Sequence, residues 1–112
     1  MRFLFLLYGD EAAELALSPE ERRAIVERHR EFTADLAARG ALLGGEALGS
    51  GARAAVVRGR ESVTDGPFAE TKEQLGGFYL VECADRAEAI ALARLAPASP
   101  GSLVEVRPIA ET

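Results

Sequence analysis

The amino-acid sequence predicts an α+β fold, with two helices packed on one face of an antiparallel sheet. Two helix-start signals support it. Ser18-Pro19-Glu20-Glu21 combines a capping residue, a proline suited to the first helical position and a capping-box glutamate, and Asp85 with Glu88 gives a second capping signal. Short apolar runs bounded by glycine, proline or aspartate flank these helices and are typical of strands. The order is a βαββαβ plan with an extra hairpin, which predicts a ferredoxin-like sandwich.

The elements follow in order along the chain. Residues 3–8 are a continuous apolar run, which predicts a central strand covered on both faces. The first helix is expected to run to about Arg39, because Gly40 stops it. The later segments are a glycine-kinked strand over 41–48, a hairpin over 54–58 and 61–64 with its turn near Gly59, a polar loop over 65–74, a strand over 77–83, a helix from Asp85 to about Leu95 and a closing strand over 103–109.

One face of the predicted sheet lacks a cover. Phe5, Leu7, Phe78 and Leu80, or their neighbours, cannot all lie under two helices. A second copy that packs sheet against sheet would bury them, so the sequence predicts a homodimer.

Length and composition restrict the function classes. The 112 residues are enough for a single domain, 1–112, with one core. A net charge of −5 with scattered Lys and Arg argues against nucleic-acid binding. One cysteine excludes an internal disulfide. The apolar N-terminal run is too short for a signal peptide and no segment is long enough to span a bilayer, so we expect a cytoplasmic protein without membrane contact.

The single histidine is the main candidate for chemistry. Ile25, His29, Phe32 and Leu36 share one face of the first helix, the apolar stripe that should turn toward the sheet. His29 is then either a half-buried structural residue or a general acid–base group at the helix–sheet boundary. As a catalytic group it would need a carboxylate partner, and Asp65, which opens a tight turn at the end of a strand, is the best candidate.

The turn Asp65-Gly66-Pro67-Phe68 has two interpretations. Asp and Gly before Pro are turn formers, so Asp65 could simply cap the turn and Phe68 could fill the core. The polar loop that follows is longer than a hairpin requires, as functional loops often are. The candidate substrate-binding residues are Tyr8, Glu46, Pro67, Phe68 and Lys72.

Other chemistries lack support in the sequence. One histidine and one cysteine without close ligand spacing predict no metal site. The pairs Gly44-Gly45 and Gly76-Gly77 do not begin a predicted helix, and neither is followed by Gly-Lys-Ser/Thr. The sequence therefore predicts no phosphate-binding loop. No serine lies in a nucleophile elbow. We therefore expect no cofactor.

The stretch from Val63 to Leu80, with Asp65-Gly66-Pro67-Phe68 and Gly76-Gly77-Phe78-Tyr79 within it, resembles the DGPF subgroup of the YCII-related superfamily. The opening eleven residues and the ending Glu105-Val106-Arg107-Pro108 fit the same pattern, so the resemblance spans almost the whole chain. It implies a ferredoxin-like fold that forms a dimeric α+β barrel. It also implies a His–Asp site between helix and sheet, with the histidine about three turns before a helix-ending glycine, as His29 stands to Gly40.

Two function hypotheses follow. In the first, a homodimeric cytoplasmic enzyme uses His29 as acid or base, oriented by Asp65, with Phe68 and Tyr8 lining the pocket and Lys72 neutralising an anionic substrate. In the second, the same cleft serves a non-catalytic ligand-binding or regulatory module. The resemblance implies an extracytoplasmic-function sigma factor as its partner, because DGPF proteins are often found beside such factors. A third interpretation is that the loop only shapes the dimer interface.

Overall fold

The computed structural model describes residues 1–111 as a four-stranded antiparallel sheet, helices on one of its faces and a separate two-stranded hairpin. The elements are β1 (Arg2–Asp10), α1 (Glu11–Leu15), α2 (Pro19–Ala38), β2 (Leu42–Ala47), β3 (Ala55–Arg58), β4 (Ser62–Asp65), β5 (Glu73–Glu82), α3 (Arg86–Ala93) and β6 (Leu103–Pro108), with a single 3-10 turn at Gly51–Arg53. The predicted α+β class is confirmed.

The order of the strands in the large sheet is β2-β5-β1-β6. The central strand β1 pairs antiparallel with both β5 and β6, and β5 pairs antiparallel with the edge strand β2. This order is compatible with a ferredoxin-like fold into which the β3–β4 hairpin is inserted between β2 and β5.

The helix boundaries follow from the predicted capping groups. Ser18 accepts a hydrogen bond from the Glu21 amide and the Glu21 carboxylate accepts one from the Ser18 amide, which completes the capping box of α2. The helix ends where Gly40 takes φ of +70°, a conformation that glycine adopts without strain. At α3, the Asp85 carboxylate accepts from the Glu88 amide.

Two elements differ from the prediction. The helix α1 was not predicted, because five residues are too few to show helical periodicity; its start is fixed by Asp10, whose carboxylate accepts from the Ala13 amide. Strand β5 begins at Glu73 rather than at residue 77, because its first residues extend the ladder with the end of β1 through the register shift after Leu7. None of the helices within residues 1–111 is long and apolar enough to cross a membrane.

The core lies between the sheet and the helices. It contains residues of the central strands together with residues of α2 and α3, among them Phe3, Phe5, Val81, Phe32, Leu36 and Leu92. Cross-strand partners share a face, so the pairs Leu4–Leu80 and Leu6–Phe78 lie on the opposite face, where these four side chains are only half-buried. Phe5 and Leu7 therefore lie on the helix side, and Phe78 and Leu80 lie on the other.

The segment 55–72, which we call the hairpin arm, stands apart from the main sheet. Strands β3 and β4 pair only with each other, and the cross-strand pair Val57 and Val63 is 64% and 61% exposed. The radius of gyration of 15.3 Å exceeds the value of about 13 Å expected for a compact chain of this length. The arm accounts for this excess, because most of its residues are exposed.

Candidate functional site

A cavity of about 840 Å³ opens between α2, α1 and the helix-facing side of the sheet. This volume lies in the range of small-molecule sites. Apolar side chains from α2, the turn before it and the sheet make up much of its wall, including Leu7, Leu17, Ile25, Val26, Leu42 and Val104. The cavity therefore suits a small molecule with a largely apolar body.

His29 lies on the wall of this cavity, half-buried on the apolar stripe of α2 as the sequence predicted. Its Nδ1 lies 3.0 Å from the hydroxyl oxygen of Tyr79 on β5. The two rings are nearly parallel, with an interplanar angle of 17° and centroids 6.3 Å apart. Phe32, buried one turn further along α2, packs edge-on against the Tyr79 ring at 5.2 Å. Tyr79 is thus held between the core and the histidine.

Thr33 adds a third polar side chain to the contact between His29 and Tyr79. Its hydroxyl donates to the main-chain carbonyl of His29 over 2.8 Å and also lies 3.4 Å from the Tyr79 hydroxyl. Residues four apart on a helix lie on the same face, which places Thr33 one turn beyond His29 against the same tyrosine.

Two opposing influences set the charge of His29. Burial disfavours the imidazolium and lowers the pKa of His29 below its ordinary 6.5, and the neighbouring Arg28 charge lowers it further. The Glu14 carboxylate acts in the opposite direction and raises this pKa. The lowering effects dominate, so the ring is neutral at neutral pH.

Helix α1 carries two carboxylates to the mouth of the cavity. Glu14 accepts a hydrogen bond from the Ser99 hydroxyl at 3.1 Å. Glu11 accepts from the Gly51 amide at 2.7 Å and from the Ser50 hydroxyl at 3.0 Å. These bonds tie α1 to the segments before β6 and before β3. With Glu46 and Arg22 also on the wall, acidic side chains outnumber basic ones around the cavity.

The predicted site residues divide into two groups. Tyr8 and Glu46 border the same cavity as His29. Glu46 pairs with Phe78, so its side chain starts from the face of the sheet opposite to Tyr79. Asp65, Pro67, Phe68 and Lys72 are not among the residues that line the cavity, since all four belong to the hairpin arm.

Within one chain the structure does not bring Asp65 to His29. Asp65 is an exposed residue at the end of β4, where it pairs with Ala55, and the described residues include no hydrogen bond or ion pair between its carboxylate and the imidazole. The chain bends after Asp65, with Gly66 at φ of +95° and its amide donating across to the Ala54 carbonyl, and no described hydrogen bond caps the bend with the Asp65 carboxylate.

The rest of the loop is exposed but held in place. Phe68 is 75% exposed and lies under the Arg58 guanidinium, 5.3 Å from the ring centroid. Lys72 is exposed. The Gln74 side-chain amide donates to the Ala69 and Thr71 carbonyls, which closes the loop onto the start of β5.

The residues that sequence reasoning missed are Tyr79, Thr33 and Glu14. Tyr79 lies inside an apolar strand pattern, and only the sheet register reveals that it faces α2. Thr33 carried a usable signal, because it follows His29 by one helical turn. No group of three or more potential metal ligands occurs among residues 1–111.

Fold and cavity together define a small α+β protein with a ligand-sized cleft between helix and sheet. The model of the YCII-related domain matches residues 1–112, and the chain belongs to that family. The chain is 40% identical, over 115 aligned residues, to an uncharacterised protein of Rhizobium meliloti, and the match covers 98% of this chain and 93% of the relative.

Proposed function

We propose that the chain is a homodimeric cytoplasmic enzyme that needs no cofactor and uses His29 as an acid–base group on a small molecule bound in the cavity. The observation that carries the proposal is the position of His29 on the wall of a largely apolar cavity of about 840 Å³, with Nδ1 3.0 Å from the Tyr79 hydroxyl, and burial lowers the pKa of His29 in the direction that favours the neutral ring. A general base must be unprotonated at the working pH and within reach of its substrate; the lowered pKa of His29 supports the first requirement and its place on the cavity wall supports the second.

The charges on the wall narrow the ligand class. The carboxylates of Glu11 and Glu14 outnumber the one arginine on the wall, Arg22, so a neutral or cationic molecule is favoured over an anion. Lys72, the cation suggested by the sequence for an anionic substrate, is not on this wall. The proposed substrate is a small molecule with an apolar or aromatic body and an uncharged reacting end.

The homodimer is proposed on the half-buried apolar face that Leu4, Leu6, Phe78 and Leu80 form away from the helices. A second copy that packs its sheet on this face would bury these side chains. In this proposal Asp65 could reach His29 only from the partner copy, and the orienting role within one chain passes to Tyr79.

The test uses 5-nitrobenzisoxazole, a neutral aromatic probe of general bases. A base takes the ring C–H proton, the C–H electrons form the nitrile, and the N–O bond breaks with its electrons on oxygen, so the ring opens to the coloured 2-cyano-4-nitrophenolate. We expect wild-type protein to accelerate this elimination above free imidazole at the same pH and His29→Gln to lose that acceleration. Glu27→Gln, on the exposed face of α2, is the matched control and should keep it.

A second candidate is the non-catalytic ligand-binding module. It is favoured by the apolar wall, which can bind a molecule whether or not His29 reacts, and it leaves the exposed hairpin arm free to contact a regulatory partner such as a sigma factor. The neutral fluorescent probe N-phenyl-1-naphthylamine separates the two. If wild type and His29→Gln bind it equally and neither accelerates the elimination, the enzyme proposal fails and the binding module stands.

A further inference from the structure

Three residues contribute four polar groups that form a closed set of three contacts beside the cavity. The His29 Nδ1 lies 3.0 Å from the Tyr79 hydroxyl, this hydroxyl lies 3.4 Å from the Thr33 hydroxyl, and the Thr33 hydroxyl lies 2.8 Å from the His29 carbonyl. The arrangement of hydrogens on these atoms decides which ring nitrogen is free to act as a base.

The count of hydrogens discriminates between the two tautomers. The Thr33 hydrogen goes to the His29 carbonyl, which is its shorter contact. If Nδ1 carries the ring hydrogen, it donates to Tyr79, Tyr79 donates to Thr33, and each of the three contacts has one hydrogen. If Nε2 carries it, Tyr79 donates to Nδ1, and the single Thr33 hydrogen has to serve both the His29 carbonyl and the Tyr79 oxygen, so three contacts share two hydrogens.

The Nδ1–hydroxyl distance agrees with the first arrangement, whereas the Tyr79–Thr33 contact at 3.4 Å is longer than an ordinary O–H···O bond. A separation of 3.0 Å is the ordinary length of an N–H···O bond and is longer than the usual separation for a hydroxyl donor. A chain in which every member both donates and accepts is also strengthened by mutual polarisation.

The other ring nitrogen is open. Nε2 has no hydrogen-bond partner among the described residues, and no buried side-chain nitrogen or oxygen there lacks a partner, so Nε2 is accessible from the cavity that His29 lines. The nitrogen that can meet a bound molecule is therefore the one that the first tautomer leaves unprotonated.

We propose that Tyr79 and Thr33 are positioning residues that hold neutral His29 in the Nδ1–H tautomer, so that Nε2 is the atom that accepts a proton from the bound molecule. The role of Nε2 as proton acceptor rests on the proposed acid–base function. The tautomer itself is a property of the free protein.

The experiment measures the tautomer in the absence of any substrate. The chain has one histidine, so protein labelled with ¹⁵N in histidine gives one pair of ring nitrogen signals, and their two-bond proton correlations show which nitrogen is protonated. Spectra are recorded above the pKa of His29. We expect wild type to show protonated Nδ1 and unprotonated Nε2.

Three substitutions test whether the hydroxyls of Tyr79 and Thr33 determine the tautomer of His29. Tyr79→Phe removes the acceptor of the Nδ1 hydrogen, and we expect the ratio of the tautomers to shift toward Nε2–H by at least about fivefold, as for the loss of one hydrogen bond. Thr33→Val removes the acceptor of the Tyr79 hydrogen and should shift the ratio in the same direction. Thr33→Ser keeps the hydroxyl and should retain the wild-type ratio, which excludes a general packing effect.

Each outcome is decisive. A wild-type ring protonated at Nε2, or a ratio unchanged in both Tyr79→Phe and Thr33→Val, overturns the positioning role. If the tautomer is as expected but 5-nitrobenzisoxazole elimination does not depend on His29, the positioning stands and the proposed enzyme function fails. If Tyr79→Phe does not fold, the tautomer ratio in Thr33→Val tests the proposal, because that variant keeps the tyrosine.

Discussion

Gly45 on β2 lies directly opposite Tyr79 on β5, and this glycine provides the space that the tyrosine ring occupies. A Cβ atom at Gly45 would lie 2.9 Å from Tyr79 Cδ1 and 2.8 Å from the Phe78 carbonyl oxygen. The carbonyl belongs to the strand backbone and cannot move without disturbing the ladder. The ring that contacts His29 therefore depends on a glycine on the edge strand.

Replacing this glycine should disturb the site. We expect Gly45→Ala to lower the free energy of unfolding by about 1–3 kcal/mol, the usual cost of forcing a group into filled space. Urea denaturation measures the loss, and the His29 ring signals should move with the tyrosine. Gly44→Ala is the matched control, since no atom lies within 4 Å of its added Cβ. Equal effects of the two substitutions would contradict the steric account.

The titration of His29 tests its surroundings. We expect a pKa below 6.5 in the folded protein, because burial and the Arg28 charge both disfavour the imidazolium. NMR titration of the single histidine measures it directly. Asp65→Asn should leave this pKa unchanged, since Asp65 does not contribute to it within one chain. A lower pKa in Asp65→Asn would instead show that a partner copy brings Asp65 to His29.

The same shift makes stability depend on pH. Because the folded pKa is lowered, the unfolded chain binds more protons between the folded value and 6.5, and the free energy of unfolding falls as the pH falls through that window. Above 6.5 this contribution is fully present and constant. His29→Gln should remove that part of the dependence, as urea denaturation at a series of pH values would show. A wild-type curve that the substitution leaves unchanged in that window would contradict the lowered pKa.

Two neighbouring charges should move the His29 pKa in opposite directions. Glu14→Gln removes the carboxylate that raises it, so the pKa should fall further, whereas Arg28→Gln should raise it. Glu27→Gln is a control on the same helix, since Glu27 does not contribute to the shift. Shifts of the same sign in Glu14→Gln and Arg28→Gln would show that the variants act through packing rather than through charge.

The proposed dimer makes a separate prediction. Leu6→Glu places a charge beside Phe78 on the face away from the helices, and it should convert a dimer into a monomer because burying an unpaired carboxylate is costly. Light scattering should give twice the 11.9 kDa chain mass for wild type and the single mass for the variant. Leu95→Glu, at a residue already 52% exposed after α3, should leave the mass unchanged. A monomeric wild type would contradict the dimer.

Much of the fold was predictable because its signals are local. A capping box needs only Ser18 and the residues up to Glu21, and a helix end needs only Gly40. The β3–β4 hairpin was predicted from its turn at Gly59 for the same reason, but its separation from the main sheet was not. Helix α1 was not predicted, because its five residues are too few to show periodicity, and its place over the cavity also depends on bonds to Ser50, Gly51 and Ser99, which are distant in sequence.

The site was predictable only in part. The sequence by itself determined that His29 lies on the apolar stripe of its helix, because helical periodicity fixes which residues share a face. It could not determine the partner of His29, because that depends on the register between strands and on how α2 crosses the sheet. Asp65 was the carboxylate that the sequence favoured as the partner of His29, but the tertiary structure places it on the hairpin arm. Tyr79, which lies opposite Gly45, contacts the imidazole instead.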